Sequence, residues 1–220
     1  MSPRKQKTSA TGPKANIKKI IPRLEKAHPD AKLDLDFTNS LELLIALILA
    51  AQARDDLVNK VTVELFQANH SAADYANTPL ERLESQIGKI NFYRNKAKSI
   101  HNCCKQLVER FGGKVPDNLE DLLSLPGVGR KTANIVLGNG FGQPAIGVDT
   151  HVMRLSQRLG FTKNSDPDKI EADLTAIVPE KQRVSFCHLL QYHGRRICVA
   201  KKPKCPDCTI EDLCPFKGKT

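Results

Sequence analysis

The chain has 220 residues, enough to bury a sizeable core as one large domain or two small ones, so it reads as a globular protein and not a stapled miniature. Lys and Arg total 34 against 24 Asp and Glu, and a net charge of +10 points to a polyanionic partner. The longest apolar stretch, residues 43–51, falls far short of the roughly 20 residues a membrane span needs, and no apolar segment follows the basic N-terminus as a secretory signal requires, which excludes membrane and exported classes.

The charge is uneven. Arg4, Lys5, Lys7, Lys14, Lys18 and Lys19 crowd into the first 19 residues with no acidic neighbour. Residues 1–15 read as a solvated, disordered basic tail, and Pro3, Gly12 and Pro13 interrupt any amphipathic targeting helix there.

Beyond the tail, helix punctuation follows helix punctuation. Asn39 with Glu42 has capping-box spacing and opens a helix over residues 41–53, apolar on nearly all sides and so central. Asp55 and Asp56 start the next, with Leu57, Val58, Val61 and Leu65 on one face. Thr78, Pro79 and Glu81 supply cap, first-turn proline and box partner for a helix that Gly88 ends. Over residues 95–111, Ile100, Cys103, Cys104, Leu107, Val108 and Phe111 form an apolar stripe, closed by Gly112 and Gly113, which makes the two cysteines core residues. Asp117 with Glu120 begins a short helix over 118–123, which runs through Pro126-Gly127-Val128-Gly129 into a second helix from Arg130. Further helices start at Asp149 and Pro167 and span residues 179–193. No alternating strand pattern competes, so the fold class is all-α.

The stretch "LPGVGRKTANIVLG" carries the first chemical signal. A bare turn before a helix exposes backbone N–H groups at the positive end of the helix dipole, which is an anion site. Glycine at 127 and 129 lets a phosphate oxygen approach, Val128 pins the turn by packing inward, and if Gly129 has a positive φ a side chain there also strains the backbone. The plain alternative is an αα-corner. The leading Leu-Pro and following Arg130-Lys131 make the segment similar to the helix-hairpin-helix DNA-binding motif, which holds a duplex by its phosphates.

An ordinary lysine is neutral in only about one part in 2,500 at pH 7. Adjacent positive charge and a helix N-terminus both disfavour the ammonium, and Lys131 has both, which suits a nucleophile as well as a solvated phosphate contact. In "IGVDTHVMRL", Asp149 starts another helix; it is an N-cap, a carboxylate able to stabilise positive charge on a sugar ring, or both.

Seven cysteines are an odd count, and four crowd into the last 23 residues, which fits metal ligation better than disulfides. Cys198, Cys205, Cys208 and Cys214 are spaced C-x6-C-x2-C-x5-C, and four thiolates suit either tetrahedral zinc or a [4Fe-4S] cluster. The absence of two separated C-x2-C pairs tilts toward iron–sulfur. Arg195, Arg196, Lys201, Lys202 and Lys204 compensate the cluster's negative charge or face DNA, and Cys187 is a core residue.

With LPGVGRKTA, VDTH and the cysteine tail in this order, residues 16–216 resemble the endonuclease III family of bifunctional DNA glycosylases and abasic-site lyases. The resemblance implies two helical lobes. Residues 33–143 would form a six-helix barrel carrying the helix-hairpin-helix, and residues 16–32 with 144–216 a [4Fe-4S] lobe, with the active site in the cleft between them. It implies a monomer acting on double-stranded DNA with damaged pyrimidines or abasic sites, located with the nucleoid or, in a eukaryote, in the nucleus or mitochondria. Lys131 would be the nucleophile and Asp149 its carboxylate partner. Gln52 would fill the space of a flipped-out base, Asp55 would contact the lesion, and Phe92 would stand where the family commonly has a leucine wedge. Gly127, Val128, Gly129, Arg130, Thr132 and His151 would meet the DNA backbone, and the four tail cysteines would hold the cluster.

Ala50 in place of a small hydroxyl residue and the charge of Arg54 are departures that bear on lesion preference. Two rivals stand beside this reading. A mismatch-specific adenine or thymine glycosylase of the same superfamily would show, in the adenine case, a glutamate near Ala46, no hairpin lysine and a further C-terminal domain. A non-catalytic DNA-binding iron–sulfur protein would need neither Lys131 nor Asp149.

Overall fold

The computed structural model describes residues 13–218, so the expected basic tail lies almost wholly outside the described residues. Helix α1 (Pro13–Ala27) begins at Pro13. The described residues form eleven α-helices with short π and 3-10 segments and no strand, as the helical punctuation predicts. No helix among them is long and apolar enough to cross a membrane.

The chain divides into two compact units, Leu33–Gly147 and a second made of Met1–Lys32 with Val148–Thr220. In the first, α2 (Ser40–Ala50) is the axis: every residue from Leu43 to Leu49 is buried, and α3 (Asp55–Ala68), α6 (Tyr93–Phe111) and α8 (Arg130–Ile135) pack on it. α4 (Ala72–Asn77), α5 (Leu80–Gln86) and α7 (Leu119–Ser124) close the unit, and α8 continues through a π segment, Val136–Gly140. In the second, α9 (Thr150–Arg158), α10 (Pro167–Ile177) and α11 (Arg183–Arg196) bury Val152, Leu155, Ile170, Leu174, Phe186 and Leu190, and α1 packs on α10 and α11.

Several boundaries depart from the periodicity, each for a local reason. α2 stops at Ala50 and not at residue 53, because Ala51 leaves helical ψ and Gln52 turns to a φ of 55°. Glu42 reaches one residue past the expected box partner, accepting from the N–H and hydroxyl of Thr38 at 2.6 and 2.8 Å, while Asn39 caps the helix through the N–H groups of Leu41 and Glu42. Thr78 is not the cap of α5. Its hydroxyl donates to the Asp74 carbonyl at 2.8 Å and closes α4, a helix the periodicity does not mark. α5 ends at Gln86, with Ile87 as its C-cap and Gly88 directly after it. Asn118, not Asp117, caps α7, accepting from the Asp121 N–H at 2.9 Å. Val108, expected in the core stripe of α6, is 41% exposed, since the buried face runs through Ile100, Cys103, Cys104 and Leu107. α11 starts at Arg183, after a single 3-10 turn at Glu180–Gln182.

Candidate nucleic-acid interface and cysteine site

The hairpin between α7 and α8 is anchored from below. Leu125 and Val128 are buried in the core, and the Val128 N–H donates to the Leu125 carbonyl at 3.2 Å. The two glycines differ in kind. Gly127 has a φ of +80°, and a Cβ there would lie 2.9 Å from the Cβ of Ser99 on α6, so the fold itself requires glycine. Gly129 is extended (φ −94°, ψ 172°), which corrects the expectation of a positive φ, and a Cβ there would meet nothing within 4 Å. Gly129 is the N-cap of α8 and offers no side chain to the first-turn N–H groups. Nothing in the fold forbids a side chain at 129. Lys131 is exposed in the first turn, with Arg130 and Thr132 half-buried on either side.

Gln52 and Phe92 share a rarer property. They are the non-glycine residues with positive φ among the described residues, at 55° and 59°. A left-handed backbone costs such residues about 1–2 kcal/mol each, so the surrounding structure must hold them there. Gln52 is exposed, and Phe92, the N-cap of α6, is 62% exposed. Both line an open cavity of about 240 Å³ together with Ile48, Lys96, Ser99 and Gly127. Asp55 is the half-buried first residue of α3. Arg54 is turned to its own neighbour, forking onto the Asp56 carboxylate at 2.8 and 3.0 Å.

In the other unit, Asp149 is the N-cap of α9, its Oδ1 accepting from the Val152 N–H at 2.7 Å. His151 lies with its Nδ1 3.1 Å from Arg154 Nη2, and burial, against the opposing pull of Asp149, pushes its pKa down.

Cys198, Cys205, Cys208 and Cys214 line one small pocket of about 20 Å³. Among the described residues no three His, Cys, Asp or Glu side chains converge on a point as ligands of a single ion, so the thiols surround a space without meeting in it. Arg158 Nη1 approaches the Cys198 sulfur at 3.2 Å while its guanidinium donates to the Val199 and Ala200 carbonyls, and His193 Nε2 lies 3.4 Å from the Cys208 sulfur. Arg158 and His193 carry no sequence signal for this place; α9 delivers Arg158 from 40 residues upstream of Cys198, and the last turns of α11 deliver His193. Arg196 is committed elsewhere, to Asp30 at 2.6 and 2.9 Å and to the ring of Tyr192, whereas Lys201, Lys202 and Lys204 are exposed. Cys103, Cys104 and Cys187 are buried; burial pushes the Cys103 thiol up to about 12 and Cys104 higher still, the state of inert core residues.

Residues 45–180 match the family described as HhH-GPD superfamily base excision DNA repair protein, and the chain belongs to that family. Within it, the chain is 46% identical over 203 residues to endonuclease III of Synechocystis sp., covering 92% of this chain and 93% of the relative, and 41% identical over 206 residues to endonuclease III of Escherichia coli. A trapped endonuclease III–DNA covalent intermediate superposes with a TM-score of 0.86 at 43% identity, covering 92% of this chain and 95% of the other. A thermostable thymine-DNA glycosylase shares the fold, with a TM-score of 0.84 at 24% identity.

Proposed function

We propose that Lys131 is the nucleophile of this base excision repair DNA glycosylase and lyase, and that the enzyme acts as a monomer on duplex DNA bearing damaged pyrimidines or abasic sites. The observation that carries this reading is the likeness to endonuclease III along nine-tenths of the chain, including a solved complex trapped covalently on DNA. Beside it stands an exposed lysine in the first turn of α8, behind a turn whose second glycine the fold does not require.

The nucleotide is extruded first, because the sugar C1′ is out of reach inside the stack. The neutral Lys131 amine attacks C1′ and the base departs with the bonding pair. Loss of the amine proton and ring opening leave an imine, which acidifies the neighbouring C2′. Removing a C2′ proton forms a C2′–C3′ double bond and expels the 3′ phosphate; hydrolysis of the imine then frees the lysine. Asp149 assists deprotonation of Lys131 and stabilises the oxocarbenium-like charge, with Oδ1 serving the helix cap and Oδ2 the reaction. Gln52 and Phe92 fill the space the base leaves, and Asp55 meets the lesion. Gly127, Val128, Gly129, Arg130 and Thr132 bring the hairpin to the phosphates, and His151 meets a phosphate.

The donor set of the cysteine site fits a [4Fe-4S] cluster: four thiols line one pocket, no three of them are gathered as ligands of a single ion among the described residues, and Arg158 and His193 stand at sulfurs. Such a cluster, when bound, ties the loop of Lys201, Lys202 and Lys204 in place through four iron–thiolate bonds. An adenine-specific chemistry is not supported, since Ala46 is fully buried in α2 and brings no carboxylate. The test is borohydride trapping on abasic duplex DNA. Lys131→Ala is expected to abolish the covalent adduct while duplex affinity stays within a few-fold, because phosphate contacts carry most of the affinity. Undiminished trapping removes Lys131 from the role.

A further inference from the structure

Lys96 is a lysine in an unusual position. It is only 7% exposed, and burial pushes its pKa down, yet its Nζ donates to the carbonyls of Leu49 and Ala51 at 2.7 and 2.6 Å. Those carbonyls lie at the C-terminal end of α2, where backbone acceptors are left over and the helix dipole is negative, so the ammonium finds a matching partner there. The next residue is Gln52. On its own helix Lys96 sits four residues after Phe92 and donates its backbone N–H to the Phe92 carbonyl at 3.1 Å. Through its ammonium Lys96 therefore ties the turn that carries Gln52 to the first turn of the helix that Phe92 caps, the left-handed non-glycine positions among the described residues; its backbone bond to Phe92 is the ordinary helical one, which any residue at 96 would make. Along the same helix Ser99 meets Gly127 of the hairpin, and Ala51, Gln52, Phe92, Lys96, Ser99 and Gly127 line one cavity.

We infer that Lys96 is a positioning residue that presets Gln52 and Phe92 to enter the duplex when a base is extruded. The inference rests on the assignment of those two side chains to the emptied base space. Neither strained backbone is held by its own residue type, and a buried charge aimed at two carbonyls is a stiffer tie than an apolar contact. The Lys96 ammonium is committed to two backbone carbonyls and takes no part in the attack assigned to Lys131. Its loss must therefore act on extrusion and leave the chemistry.

Lys96→Met keeps the apolar stem and removes the donors. Two readouts separate the steps: the fluorescence of 2-aminopurine placed beside an abasic site in duplex DNA, which reports unstacking, and cleavage of an abasic site in single-stranded DNA, which needs no extrusion. For Lys96→Met, read below its melting transition, the fluorescence rise should be largely abolished. Single-turnover base excision from duplex DNA should fall on the order of 100-fold, the scale of a displaced positioning group, while single-strand cleavage keeps its rate. Lys96→Arg, which retains charge and donors, should recover much of the fluorescence rise, and Lys96→Gln serves the same comparison if the methionine variant does not fold. A normal fluorescence rise in Lys96→Met, or equal losses on single- and double-stranded DNA, overturns the inference. Lys131→Ala run in parallel keeps the two claims apart. If that variant still traps DNA, the nucleophile assignment fails, while the fluorescence readout, which needs no nucleophile, still decides the role of Lys96.

Discussion

Gly129→Asp sets folding against binding. The residue is extended at the N-cap of α8, where aspartate is among the preferred types, and the new Cβ meets no atom within 4 Å. An aspartate there gains a capping bond and a favourable dipole interaction, each worth about 0.3–1 kcal/mol, so the melting temperature should hold or rise. Binding should move the other way. If a phosphate sits at the first-turn N–H groups, the carboxylate lies about 4 Å from it, a repulsion of about 1 kcal/mol under bulk-water screening and about 4 kcal/mol near a protein surface. That is a drop of roughly five-fold to several hundred-fold in affinity. Every phosphate that the variant no longer neutralises should also reduce the slope of log affinity against log salt by roughly 0.9. The weakening should be equal for damaged and undamaged duplexes, since the DNA backbone carries no base information. Fluorescence anisotropy across a salt series and a thermal melt on the same protein decide the matter. Gly127→Ala is the control with the opposite pattern. Its left-handed φ and the 2.9 Å approach to Ser99 should cost on the order of 3 kcal/mol, a drop on the order of 10 °C in Tm. A Gly129→Asp protein with unchanged affinity and salt slope would refute phosphate binding at this turn.

Asp149→Asn should slow base excision by roughly 10²–10⁴-fold with little change in Tm, since the amide oxygen can still accept from the Val152 N–H; near-wild-type turnover would reduce Asp149 to a cap. Protein made with ample iron should be yellow-brown with an iron to protein ratio of roughly four, measured by metal analysis with acid-labile sulfide, and one zinc without iron would overturn the cluster assignment. Replacing Cys205 or Cys208 with alanine should loosen the loop of Lys201, Lys202 and Lys204 and weaken duplex affinity, read by amide exchange and anisotropy together.

Helix caps and apolar periodicity are local, and so α2, α3, α6, α9 and α10 are legible from residues within four places of one another. The hairpin, Asp149 and the cysteine spacing are local too, because an anion site, an N-cap and a C-x2-C pair each need only neighbouring residues. Capping failed as a guide where one residue had two possible helices to serve: Thr78 could cap α5 from its sequence, yet its hydroxyl closes α4. Val108 fits an apolar stripe by type, but only the packing of α6 on its neighbours decides which face of that helix is buried. Nothing in the letters separates Gly127 from Gly129; a helix 28 residues upstream makes one of them obligatory through Ser99 and leaves the other open to solvent. The same holds for Lys96, one lysine among many in sequence, whose two acceptors lie 45 and 47 residues away. Long-range packing alone places a buried charge at the end of another helix, because such an encounter depends on how whole helices pack and leaves no periodic trace in the chain.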